Sequence, residues 1–233
     1  MNIVDIIIII FILLMGVIGS KRGVFKEIIF CVGTILLFVL AFKFKDILGN
    51  VFLLNLPMFD FPNVFQGVIT LNILVYQLLA FVVTLIILLI IFEVILSITG
   101  IFEKILKMTI ILGIPSKILG FLGGLVEGYV IAFVLLFFLT QPAFNFTRFM
   151  ESKYANAILT SSPVLTSVTS DTVGLVQDIY NLKDESDKNI LNGKILDMML
   201  DKKIVSYDIA KKLYDSDKIK FDGIEIVLDK YNN

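Results

Sequence analysis

"IVDIIIIIFILLMGVIGSKRGVFKEIIFCVGTILLFVLAF", residues 3–42, consists of two apolar runs separated by residues 19–28, which crowd Lys21, Arg22, Lys26 and Glu27 around Gly23. From Ile6 to Ile18 there is no charge, and with Ile3, Val4 and Gly19 this run approaches the ~20 residues needed to cross hydrocarbon. A secretory leader carries cations before its apolar run and a small-residue cleavage site after it. Here the cations follow the run and no A-x-A-like site does, so the segment reads as a retained helix. Ile28 to Phe42 is shorter, about 22 Å at helical rise against a hydrocarbon core of ~30 Å, and predicts snorkelling by Lys43 and Lys45 or local bilayer thinning.

The rest of the chain agrees with a membrane reading. Of 233 residues 58% are hydrophobic, and the mean hydropathy of +0.94 is too high for a soluble domain of this size. Residues 1–146 carry 15 of the 41 Asp, Glu, Lys and Arg side chains. The expected division is therefore a four-helix transmembrane domain over 1–146 and a polar helical region over 147–233, an all-α membrane protein. A net charge of −1 gives no basis for nucleic-acid binding. Histidine is absent and Cys31 is the sole cysteine, which removes Ser-His-Asp and Cys-His catalysis, the usual zinc sites and any intramolecular disulfide. No enzyme activity, metal or cofactor is expected.

Residues 43–66, with Pro57 and Pro62 among Phe59, Phe61 and Phe65, read as an interfacial loop broken by its prolines. A third apolar run, Gly67 to Phe92, holds Asn72, Gln77 and Thr84 as hydrogen-bonding groups for neighbouring helices. Between Thr99 and Lys117 the spacing of Phe102, Ile105, Leu106 and Thr109 opposite Glu103, Lys104 and Lys107 predicts a short surface helix with a Glu103–Lys107 pair. Pro115 then opens a fourth span over about 118–140. In the polar region Pro163 opens one helix, and Ser206 is the expected N-cap of another that buries Ile209 and Leu213.

Gly120, Gly124, Gly128 and Ala132 recur every four residues, a side-chain-free stripe on the fourth span. Such a stripe lets a second backbone approach closely where packing must drive association. Gly16, Gly19 and Gly23 are the natural partner within one chain, and a homo-oligomeric contact is the other reading. Glu127 lies nine residues into that span, near mid-bilayer, where an ionisable group reads as functional by default. With no Lys or Arg at mid-span, the expectation is a neutral Glu127 without an ion-pair partner, bonded to Gln77, Asn72 or Thr84 or facing a water-filled vestibule. The acids Asp215, Asp217 and Asp222 fail the EF-hand spacing, because Ile219 and Lys220 stand where an oxygen ligand and a glycine belong.

Two of these stretches together resemble the colicin V production protein family, small bacterial inner-membrane proteins. The first is Asp5 followed after 16 residues by Arg22-Gly23-Val24-Phe25-Lys26-Glu27, similar to that family's opening. The second is 116-SKILGFLGGLVEG-128, similar to its D-R-x-x-G signature, with Lys117 in the Arg place and Gly120, Gly124 and Gly128 at the small positions. Ser116 replaces the acid, and Glu127 stands where relatives can carry a base. The resemblance covers about residues 1–142 and implies a four-span bacterial membrane protein associated with peptide-toxin production or export and with envelope function. Some relatives carry a serine protease beyond the membrane unit, which a region without histidine excludes by the usual triad.

The expected role is a non-enzymatic scaffold or accessory in the bacterial inner membrane. Its partners would be the lipid bilayer, envelope or secretion proteins and a second copy of the chain. A small oligomeric channel, or a proton- or ion-coupled transporter using Glu127, is the alternative. Lys21, Arg22, Lys26, Lys104, Lys107 and Lys117 on one side outnumber Lys43, Lys45, Arg148 and Lys153 on the other, which predicts both termini outside the cytoplasm. The cluster Lys21, Arg22, Lys26, Glu27 and Lys117 reads either as that topology signal or as a site for anionic lipid headgroups or a partner's acidic segment. In the second reading Glu27 is paired by Arg22, Lys26 or Lys117.

Overall fold

The computed structural model of the protein describes residues 2–62, 65–98, 101–141, 151–182 and 184–232, with the helix alone described over 101–113. Among the described residues all regular structure is helical: α1 (Ile3–Arg22), α2 (Val24–Asn55), α3 (Leu71–Ile98), α4 (Ile101–Leu139), α5 (Lys153–Ser161), α6 (Pro163–Asn181), α7 (Lys188–Asp201), α8 (Tyr207–Asp215) and α9 (Ile224–Asp229). α1, α2, α3 and the segment Ile114–Leu139 of α4 are long and apolar enough to cross a membrane. The protein is a multi-pass membrane protein.

Three helices depart from the expectations set by composition. α2 does not end near Phe42; it continues to Asn55, 32 residues or about 48 Å. Its charges are accommodated: Lys45 is buried and its Nζ reaches Asp46 Oδ1 at 2.7 Å and Gln77 Oε1 at 3.1 Å. The prolines come only after the helix has stopped. α3 runs to Ile98 rather than Phe92. α4 is one helix from Ile101 through Pro115 to Leu139, not a surface helix followed by a span that Pro115 opens. The Glu103–Lys107 pair, and Arg148 in the orientation count, lie outside the described residues.

The chain forms two compact units. One comprises 1–43, 83–140 and 146–168, the other 44–82, 141–145 and 169–233. The first boundaries fall inside α2 and α3, because the lower half of this helical pair shares its core with the polar region rather than with lipid. Burial along α3 records the change: residues 71–74, 76–78, 80 and 81 are buried, whereas Ile86, Ile87, Ile90, Ile91, Val94 and Ile95 are exposed apolar side chains of the kind lipid covers.

In the first unit α1 packs along α4. Phe38 of α2 meets Phe133 and Phe137 edge-on, at ring separations of 5.6 and 6.4 Å. In the second unit Leu53, Leu71, Ile73 and Tyr76 share one core with Leu175, Ile179, Leu191, Ile195, Leu196 and Leu213. Lys218 Nζ donates to the carbonyls of Leu53 and Leu56, at 3.2 and 2.7 Å, where α2 ends and its carbonyls lack helical partners. Ser206 caps α8 as expected, its Oγ accepting from Ile209 N–H. Asn72 bonds the backbone of Phe59 and Ile69, Gln77 meets Lys45, and Thr84 Oγ1 is buried without a hydrogen-bond partner among the described residues.

Asn192 joins α7 to the segment before α3. Its Oδ1 accepts from Thr70 N–H and Thr70 Oγ1, at 3.0 and 2.9 Å, and its Nδ2 donates to the Gly67 and Lys188 carbonyls. Asn192→Leu strands these buried groups, and a loss of at least about 2 kcal/mol is expected. Denaturant unfolding of the full chain in detergent, followed by proteolysis at α7, measures it.

Asp197 holds the end of the chain, accepting from Lys230 Nζ at 2.7 Å and Tyr231 Oη at 2.9 Å. Burial pushes the Asp197 carboxyl up, but these two donors outweigh it and hold it below its ordinary range. A lowered native value means a contribution present above the unfolded value of ~3.9 and lost as pH falls through the native one. Amide exchange in α9 is therefore expected to quicken on acidification below about pH 4, and Asp197→Asn should reproduce the faster exchange at neutral pH.

Candidate functional site: a glycine seam closed by buried charges

α1 ends at Gly23, whose φ of +82° favours glycine, and α2 begins at the next residue with no intervening loop. Gly23 N–H donates to Gly19 O at 3.0 Å, and Val24 N–H, an orphan donor at the start of α2, is taken by Ser116 Oγ at 3.1 Å. Thus Ser116 acts as a neutral acceptor that fixes the turn against α4.

The glycines face one another across α1 and α4. A Cβ on Gly19 would lie 2.8 Å from Gly124 Cα, one on Gly120 would lie 2.5 Å from Gly19 O, and one on Gly124 would lie 3.0 Å from both Gly16 and Gly19 Cα. Gly128 continues the seam against Met15 and Ile12, and Gly16 against Phe121 and Leu125. Ala132, buried, lies beside the end of α1, where Val4, Ile7, Ile8 and Phe11 line an apolar cavity of about 190 Å³ with it. Gly123 belongs to the site although it falls off the four-residue stripe: its missing side chain makes room for Glu27, whose Cγ would stand 2.8 Å from a Cβ there.

The charges correct the sequence reading. Glu127 is buried, but it is not partnerless: Arg22 Nη1 donates to its Oε2 at 2.9 Å. Arg22 closes α1 and runs inward along α2, with its guanidinium 5.4 Å from the Phe30 ring centre. A cation placed at the turn by sequence thus reaches an acid placed in the span by sequence. Glu27, fully buried, is 3.8 Å from the same Nη1, and neither of its oxygens accepts a hydrogen bond from a described residue. Lys26 Nζ lies over the Phe30 ring at 5.7 Å. Lys21 and Lys117 are exposed, and Phe25 is half-buried at the turn.

Asp5 sits at the other end of α1. It accepts from Asn2 N–H, Ser152 Oγ and Tyr154 N–H at 2.8, 2.5 and 3.1 Å, tying the start of α1 to the start of α5. Ser152 also caps α5. An S-x-x-A start to a helical pattern is legible as a cap; that its hydroxyl also serves an acid 147 residues earlier is not. Tyr129 and Ser162, bonded at 2.8 Å, link α4 to the α5–α6 junction in the same way.

These features define a multi-pass helical membrane protein whose spans are joined by a backbone-close seam and a buried ion pair. The family model of the colicin V production protein matches residues 4–169, so the chain belongs to that family and is associated with colicin V production. The match runs past residue 142 and through α5, ending beside Val168, where the first unit also ends. No curated protein and no solved structure matches the chain.

The seam makes a contrasting prediction for two Gly→Ala changes. Gly19→Ala should destabilise by about 1–3 kcal/mol through overpacking. Gly193→Ala, in α7, meets Phe221 and Val227 only at 3.7 and 3.8 Å and should stabilise by up to about 1 kcal/mol through helix propensity. Thermal unfolding of both variants in the same detergent gives the comparison.

Proposed function

We propose that the protein is a non-enzymatic scaffold or accessory of toxin production and secretion in the bacterial inner membrane, with a wider place in envelope function. The observation that carries this reading is how the membrane unit uses its polar groups. Arg22 is spent on Glu127, Val24 N–H on Ser116, and Asp5 on Ser152 and Tyr154, all of which fix helices to one another. Such an arrangement suits a rigid body that other proteins assemble on. Those partners are envelope or secretion proteins, with a second copy of the chain among the candidates. Exposed Lys21 and Lys117 suit anionic lipid headgroups. The cation count supports both termini outside the cytoplasm.

A channel or a proton- or ion-coupled transporter working through Glu127 is the second reading, favoured by the burial of that carboxyl. Glu127→Gln alone does not separate the two, since it also weakens the Arg22 contact that holds α1 to α4. The exchange Arg22→Glu with Glu127→Arg does. In a toxin-exporting host lacking its own family member, a scaffold is expected to lose toxin production with Gly124→Leu and to regain most of it in the exchange variant relative to either single change. Loss of activity in the exchange variant, with normal levels and assembly, supports transport through Glu127 instead.

A further inference from the structure

We propose that Glu27 and Glu127 form a proton-binding site inside the membrane unit, one proton being held between their two carboxyl groups beside Arg22. The argument starts from Glu27, whose side chain is 0% exposed and whose two oxygens receive no hydrogen bond from any described residue. An ionised carboxylate is acceptor-only and is stable in a buried place when donors surround it. No nearby donor reaches these oxygens. Arg22 Nη1 is bonded to Glu127 at 2.9 Å and stands 3.8 Å from Glu27. Of the N–H groups that open α2, Val24's goes to Ser116 and Glu27's own goes to Gly23 O. Lys26 lies over Phe30, and its ammonium makes no hydrogen bond to Glu27.

What does face Glu27 is the carboxyl of Glu127: the two Oε2 atoms flank the same Arg22 Nη1, at 3.8 and 2.9 Å. Two carboxylates in that position are two acceptors and cannot bond. A single proton turns one of them into a donor, satisfies an otherwise orphaned oxygen and leaves one negative charge opposite Arg22. The charged and titratable described groups around Glu27 are Arg22 from α1, Glu127 from α4, and Lys26 and Cys31 from α2 itself. The Arg22 side chain, 31% exposed, is the edge of the cluster nearest the surface and the side from which a proton enters. Glycine at position 123 supports the site, because any side chain there would displace Glu27. The proposal is independent of the scaffold reading, since a proton site serves a static body and a transporter alike.

The test is infrared spectroscopy of the full chain in lipid nanodiscs at neutral pH, read at the carboxylic-acid carbonyl stretch. Acids exposed to water are ionised there, Asp5, with three donors on it, is expected to be ionised too, and Glu93, exposed among the lipid-covered side chains of α3, is changed to Gln in every sample, the wild-type reference included, so that it adds no band. The wild-type protein should show a carboxylic-acid band that shifts in heavy water. Glu27→Gln should abolish it. Glu127→Gln should abolish it as well, because the remaining carboxylate then has Arg22 to itself. Arg22→Gln should raise it about twofold, because two buried carboxyls are left without their cation. Absence of the band in the wild-type protein overturns the proposal without recourse to any variant, and so does a band that survives either glutamine substitution.

Discussion

The close approach of α1 and α4 is the constraint on which the membrane unit depends. In lipid there is no hydrophobic gain in bringing two apolar helices together, so association has to come from packing and from polar contacts. Gly16, Gly19, Gly120 and Gly124 supply the packing by removing every side chain from the line of contact. That approach sets the position of the turn at Gly23, and the turn in turn decides where Arg22 and Glu27 go. Were the helices a side chain further apart, the guanidinium at the end of α1 would not reach Glu127. The ion pair is therefore a consequence of the seam as well as its fastening.

The pair, its carboxylate buried and its guanidinium 31% exposed, is costly to break, since removing the cation leaves a buried charge unpaired. Its value lies in specificity. Glycine stripes alone tolerate sliding by one helical turn, because the small residues recur every four positions. The Arg22–Glu127 contact and the Val24–Ser116 bond occur in one register only. Asp5, bonded to Ser152 and Tyr154, fixes the opposite end of α1 in the same way. A polar contact at each end of α1, and a third at the first residue of α2, give an apolar seam a unique alignment.

Much of this was legible in the sequence, for reasons that can be named. Four spans follow from apolar run length, and the seam follows from glycine spacing, both of which are local properties. The inward course of Arg22 was not legible, because a cation next to a turn reads as a group that snorkels outward, and its partner lies 105 residues away. The length of α2 was missed for a related reason: Lys45 looks like the end of a span until Gln77 is seen to be its partner. The interleaved course of the two units was not legible because composition averages along the sequence. Leu53, Leu71 and Tyr76 sit in runs apolar enough for lipid, yet their neighbours are Leu175, Leu191 and Leu196 from the most polar part of the chain. Glu27 read as part of a charge cluster at the turn, paired by Arg22, Lys26 or Lys117; Arg22 does stand 3.8 Å away, but only the structure shows the carboxyl fully buried.

The interleaving of the two units bears on how the protein is made. Residues 44–82 present one half of a core whose other half, 169–233, leaves the ribosome only after the rest of α3, all of α4 and α5 and part of α6 have been synthesised. Throughout that interval Leu53, Phe65, Val68 and Tyr76 lack the cover that Leu175, Leu191 and Leu196 later supply. Apolar surface left bare in this way is a target for chaperones and proteases, so completion of the second unit is a late checkpoint on the survival of a chain whose membrane helices are already in place.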